Sequence, residues 1–202
     1  MSEVAEAIAA IRAGGLVVIP TDTVYGLACS PYREQPVRAL SELKGRVAGQ
    51  PIALMAGSLE LLFECVPELR GKAAVLARAL LPGPYTLVLP NPARRYTWLT
   101  GDRPDTIGVR VPAVEGLVRE ILDGAGAIAQ TSANRHDAQD PCRLEDVPEE
   151  ILTAVAATVD GGELPGTPST VLDLTGPEPR VLREGAVPTR EALARVATAL
   201  AQ

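Results

Sequence analysis

The sequence predicts an α/β fold in which helices flank one twisted sheet of mixed strand direction. Stretches with apolar residues at helical spacing alternate along the chain with short apolar runs bounded by glycine and proline, the pattern of helices laid against a sheet. Several strand-like runs follow one another with no room for a crossover helix, so their directions must be mixed. Composition fixes the kind of core: the 202 residues are 47% hydrophobic but only 3% aromatic, so Ala, Val, Leu and Ile must fill it. With no Ser/Gly-rich linker or low-complexity block, one domain over residues 1–202 is expected.

The elements follow in order. Val4, Ile8 and Ile11 precede Gly14-Gly15 and predict a helix stopped by glycine, after which Leu16-Val17-Val18-Ile19 predicts a strand. Pro20 has no N–H to give a ladder, so pairing should end there and hand Thr21, Asp22 and Thr23 to a loop. Gly26 then allows backbone geometry or a close approach that a side chain would forbid. Val37, Leu40 and Leu43 predict a second helix, 51–55 a buried strand, and Ser58 the cap of a helix through Phe63. A helix over 72–81 leads through Pro82-Gly83-Pro84 into a strand at 85–89. Further strands are expected at 107–111, 127–130, 169–174 and 180–183, with helices between them through Val114 to Ile121 and Val147 to Val155. Thr189 is the expected cap of a last helix with Leu193, Val196 and Leu200 on one face.

The longest apolar stretches fall short of a membrane span, and the start Met1-Ser2-Glu3 is acidic where a signal peptide would be basic, which points to a cytoplasmic protein. Cys29, Cys65 and Cys142 show neither close pairing nor a CxxC, and His136 is the single histidine. No disulfide framework or His/Cys zinc site is expected from them. A net charge of -6 gives no electrostatic footprint for tight, non-specific nucleic-acid binding.

Polar groups gather at the ends of the predicted strands. Lys44-Gly45-Arg46 closes the second helix, with Gln50 just before the next strand. Such cations can be a solvated helix end. In an extended segment, however, residues two apart face the same way, so both could meet one polyanion, and the Arg fork suits phosphate. Over 105–112, Thr106, Gly108 and Arg110 fall on one side of a strand and Ile107, Val109 and Val111 on the other. Arg110 needs a partner there, either a surface carboxylate or a ligand's. The run 127–130 ends in Thr131-Ser132-Ala133-Asn134, while Ser169 and Arg183 stand beside two later strands. Neither GxxxxGK[ST] nor GxGxxG occurs, so a nucleotide would not be held by a P-loop or a Rossmann fingerprint.

Taken together and in order, PTDTVYGL, KGR, PGPYT, DTIGVRVP, TSAN, STVLDL and REGAV resemble the YrdC-like family of threonylcarbamoyl-AMP synthases over roughly residues 5–190. The chain is similar to the short bacterial form, without the additional C-terminal domain of long members. The resemblance implies a YrdC-like sheet with an open cleft in which L-threonine, bicarbonate and ATP, with Mg²⁺, become threonylcarbamoyl-AMP and pyrophosphate. A separate transferase would then place the threonylcarbamoyl group on an adenosine beside the tRNA anticodon. Carried over motif by motif, Thr23, Arg110, Gln130 and Ser169 fall to threonine, and Arg46, Gln50, Thr106, Ser132, Asn134 and Arg183 to ATP. Lys44 and Arg46 take the catalytic role of electrostatic clamps; no residue is assigned to a metal.

Four departures touch this implied site. Val47 replaces the usual proline after KGR, Met55 stands where many members carry a threonine-contacting histidine, Arg135-His136-Asp137 replaces small residues, and Asp140 stands where a hydroxyl often helps to bind ATP. Two alternatives accompany a stand-alone synthase: a tRNA-docking module, or a relative that adenylates another carbamoyl donor. For the synthase itself, the acidic balance implies at most weak tRNA binding.

Overall fold

The computed structural model describes residues 2–47, 49–136 and 138–201; Met1 and Asp137, named above, lie outside the described residues. Helices α1 (Glu3–Ala13), α2 (Glu34–Lys44), α3 (Leu59–Cys65), α4 (Lys72–Leu80), α5 (Gly116–Ala125), α6 (Glu149–Ala154) and α7 (Thr189–Leu200) surround one sheet. Its strands are β1 (Val17–Ile19), β2 (Gly26–Cys29), β3 (Ala53–Met55), β4 (Tyr85–Pro90), β5 (Thr106–Arg110), β6 (Ile128–Ser132), β7 (Ala157–Thr158), β8 (Thr170–Asp173) and β9 (Arg180–Arg183). The order β7-β1-β2-β6-β3-β5-β4-β8-β9 combines parallel pairs, such as β3 with β5 and β4 with β8, with antiparallel ones. The mixed direction expected from the sequence is therefore present. No helix among the described residues is long and apolar enough to cross a membrane.

The two faces of the sheet are covered unequally. One face, carrying Leu27, Leu54, Leu87 and Val109, is buried beneath Val37 and Leu40 of α2, Leu62 of α3, Leu76 and Leu80 of α4 and Val196 of α7. Each fully buried Leu or Val there contributes about 1.5–3 kcal/mol relative to exposure. On the other face, Val4 and Ile11 of α1 and Ile121 and Leu122 of α5 cover Ile19, Ala28, Met55 and Ile128. That layer takes no buried residue from β4, β5 or β8. Beyond it this face has no such apolar cover and becomes the floor of a cleft.

Local signals account for most boundaries. Gly14 ends α1 with φ 91°, and Ser58 caps α3 by accepting from Leu61 N at 3.2 Å. β1 stops at Ile19, just before Pro20. Three expectations are corrected. Thr189 is the first residue of α7 and Pro188 its cap residue, because proline's fixed φ suits the entry to a helix. The helix expected from Val147 to Val155 is shorter, running from Glu149 to Ala154 after a separate turn of 3-10 helix at Leu144–Asp146. Gly45 is left-handed at φ 68° and terminates α2, so Lys44 and Arg46 are not neighbours along an extended segment.

Candidate active site

The loop after β1 is built by hydroxyls. Thr21 Oγ1 donates to Val24 O at 2.8 Å and accepts from Thr23 N at 3.2 Å, which curls the chain and leaves Thr23 on the cleft. β5 supplies Thr106, Gly108 and Arg110 to the cleft, while Ile107 and Val109 go to the opposite core. β6 supplies Gln130 and Ser132 by the same alternation.

The cleft has two adjoining lobes. The inner lobe, about 480 Å³, is lined by Thr23, Thr106, Arg110, Gln130 and Ser169 among others. The outer lobe, about 490 Å³, is lined by Lys44, Gln50, Asn134, His136 and Asp140. Arg46, Ser132 and Arg183 line both. Every residue singled out from the sequence for catalysis or binding thus reaches one lobe or the other. Of the departures, Val47 is 64% exposed, and Met55 is wholly buried beneath α1 and α5, away from the lining of either lobe.

Charge is distributed unevenly. At the inner end Arg110 donates to Asp22 Oδ1 at 2.6 Å, with Thr23 Oγ1 and Gln130 Oε1 each 3.4 Å from its guanidinium. The side chains of both partners are largely buried. Burial pushes the Asp22 carboxyl above the ordinary carboxylate range, and the Arg110 charge opposes that rise. Burial likewise draws Arg110 down, against the pull of Asp22.

Between the lobes the cations are differently held. Arg46 donates from Nη1 to Thr131 Oγ1 at 3.0 Å and from Nη2 to Pro51 O at 2.7 Å. Arg183 donates from Nη2 to Ser169 O at 2.9 Å. No ion pair among the described residues engages either of them, so both present uncompensated positive charge to the cleft. Lys44 instead fastens the segment after β6: Nζ donates to Ser132 O at 2.7 Å, Asn134 O at 2.9 Å and Asn134 Oδ1 at 2.5 Å. Burial and the charge of Arg46 lower Lys44 to about 8, while Asp140 opposes them. Gln50 Nε2 lies 2.7 Å from His136 Nε2 at the same rim.

Two contributors were not anticipated as site residues. Asp22 was visible as a carboxylate in the loop, and Thr131 as a hydroxyl in TSAN, but their partners lie 88 and 85 residues away in the chain. Gly26 acquires a specific reason: a Cβ there would collide with Gln130 Nε2 and lie 3.1 Å from Gln130 Cδ. Gly26→Ala should therefore push the Gln130 amide out of place and cost about 1–3 kcal/mol through overpacking. Chemical denaturation measures that loss, and an unchanged midpoint would show that Gln130 moves aside freely.

Residues 9–185 match the Sua5/YciO/YrdC family model, described as "Telomere recombination". The chain is 38% identical to the threonylcarbamoyl-AMP synthase of Pyrococcus abyssi, over 90% of this chain and 53% of that protein. It is 36% identical to the threonylcarbamoyl-AMP synthase of Halorhodospira halophila, over 78% of this chain and 82% of that protein. Among solved structures, P. abyssi Sua5 complexed with L-threonine superposes with a TM-score of 0.81 at 35% identity, covering 96% of this chain and 58% of that one. The chain thus spans little more than half the length of the P. abyssi relative.

Proposed function

From the premise that the chain belongs to the Sua5/YciO/YrdC family, we propose that it makes threonylcarbamoyl-AMP from L-threonine, bicarbonate and ATP, releasing pyrophosphate. The carrying observation is the junction of the lobes: a polar end able to receive an amino acid adjoins, through Arg46, Ser132 and Arg183, an end rich in cations. The threonine-bound P. abyssi structure supports L-threonine as a substrate.

In this reading the threonine amine adds to bicarbonate carbon and water is lost, giving a carbamate. A carbamate oxygen then attacks the α-phosphorus of ATP, and the bond to pyrophosphate breaks. Negative charge builds on phosphate oxygens during that step. Arg46 and Arg183 stabilise it directly, because among the described residues neither is paired with a carboxylate. Lys44 adds its charge and holds Ser132 and Asn134 at the lobe wall. The protein mainly orients two bound reactants.

Mg²⁺ would enter with the nucleotide and offset phosphate charge. Among the described residues no three His, Cys, Asp or Glu side chains converge as a metal cage. Asp140 is the carboxylate among the described residues lining the outer lobe, and it would add one oxygen donor to an ion carried chiefly by phosphate oxygens. The product is a mixed anhydride, to be consumed by a separate transferase acting on tRNA in the cytoplasm.

The test is pyrophosphate release with each reactant omitted in turn, tRNA absent, and the product identified by mass spectrometry. Release should require threonine, bicarbonate, ATP and Mg²⁺ together. Equal turnover with bicarbonate rigorously removed would overturn the reading. Serine is the demanding control, since the threonine methyl contributes only about 1–3 kcal/mol of discrimination.

Lys44 gives a pH signature. Its folded value of about 8 lies below the ordinary 10.5. Between those values the unfolded chain holds more protons, so stability rises with pH there and the burial penalty is fully present below about 8. A triphosphate beside Nζ favours the charged form. ATP affinity should therefore fall as pH rises through this window, with proton uptake on binding at pH 8.5, measured by calorimetry in two buffers of different ionisation enthalpy. Binding without proton uptake would remove Lys44 from the phosphate site.

A further inference from the structure

We propose that Asp22 is a positioning residue for substrate recognition: seated behind Arg110 and off the cavity lining, it fixes the guanidinium so that its remaining donors serve an amino-acid carboxylate. This inference rests on reading the inner lobe as an amino-acid site. Arg110 lines that lobe and Asp22 does not. Their side chains are 5% and 7% exposed, so the pair is effectively out of water.

Donor bookkeeping supports the assignment. A guanidinium has five N–H groups. Asp22 takes one firmly at 2.6 Å, while Thr23 and Gln130 lie at the longer distance of 3.4 Å. Arg110 Nε is buried with no partner. Asp22 therefore secures one edge of the group and leaves donors unspent on the rest. A buried Arg with spare donors lining a cavity is the arrangement that a carboxylate completes.

Asp22 is itself held from a second direction. Its Oδ2 accepts from Ala113 N at 3.3 Å, just beyond the end of β5. It thereby links the loop after β1 to the chain leaving β5 and sets where Arg110 stops. It also balances the Arg110 charge before a ligand arrives. A zwitterionic amino acid, with one charge of each sign, then enters without leaving a net buried charge.

The experiment titrates threonine calorimetrically into wild type and Asp22→Asn, and measures KM for threonine and for ATP separately. Asp22→Asn should weaken threonine by about tenfold or more, the loss expected for a charged hydrogen bond, with ATP KM within about twofold. In an Arg110→Met background, Asp22→Asn should change threonine KM by less than about twofold, because the effect runs through Arg110. Unchanged threonine affinity in folded Asp22→Asn, or equal weakening of threonine and ATP, overturns the inference alone. Wild-type protein that binds no threonine overturns the amino-acid reading of the lobe and this inference with it. Should Asp22→Asn not fold, Asp22→Glu keeps the charge but displaces the carboxylate. It should raise threonine KM selectively, and unchanged or equally raised KM values for both substrates would again overturn the proposal.

Discussion

Arg110→Ala should lose about 3–5 kcal/mol of stability as well as its hold on threonine, because it strands Asp22 in the interior without a counter-charge. The Asp22 side chain is only 7% exposed, and backbone N–H groups, Ala113 among them, are what would remain to it. For a chain of this size the loss corresponds to a melting temperature lower by roughly 6–20 °C. The pH dependence has a definite sign. Asp22 is already raised above its ordinary 3.8 with Arg110 present, and removal of the cation raises it further. A raised carboxyl favours the folded state when protonated, so the deficit should be largest near neutral pH and shrink as pH falls through the folded value. Thermal melts of Arg110→Ala and of the double variant Asp22→Ala/Arg110→Ala provide the check. Wild-type melting of the single variant at neutral pH would show that the pair is not an electrostatic unit.

Arg46→Ala should do the reverse, sparing the fold and disabling the nucleotide step. Arg46 donates to a hydroxyl and a carbonyl and, among the described residues, has no carboxylate to abandon. Its removal leaves no buried charge behind. What is lost is a cation common to both lobes, so kcat/KM for ATP should fall by about 10²–10³, as when a single preorganised transition-state donor is deleted. Arg46→Lys should recover only part of this, because a point charge cannot keep both hydrogen bonds and still present a planar fork. Steady-state kinetics with ATP varied, read beside a thermal melt, decides the matter. Full activity, or an unfolded Arg46→Ala protein, would remove Arg46 from the phosphate site.

Period-two alternation makes β5 readable in the sequence: Thr106, Gly108 and Arg110 do share the cleft side, and Ile107 and Val109 the core. Lys44 and Arg46 were readable as a pair, but the expected geometry was wrong. A left-handed Gly45, not an extended run, brings both to the outer lobe. β2 escaped notice because its four residues are all buried and show no alternation, and β7 because two residues carry no period at all. Asp22 and Thr131 could be seen as polar residues near strands. Their partners could not, since a contact across 85 or more residues is a product of sheet order that local pattern does not encode.

The unequally covered sheet has a consequence for how such a protein can change. Along β4, β5 and β8 one set of alternate residues faces the cleft, including Thr86, Val88, Gly108 and Val171, and the intervening set, including Leu87, Val109 and Leu172, belongs to the closed core. Substitutions in the first set alter the walls around a ligand without opening a hole beneath the helices. Away from the Asp22–Arg110 pair, mutational tolerance and ligand preference are therefore governed by different letters of the same strands, and a library confined to the cleft-facing letters can explore new substrates on an unchanged chassis.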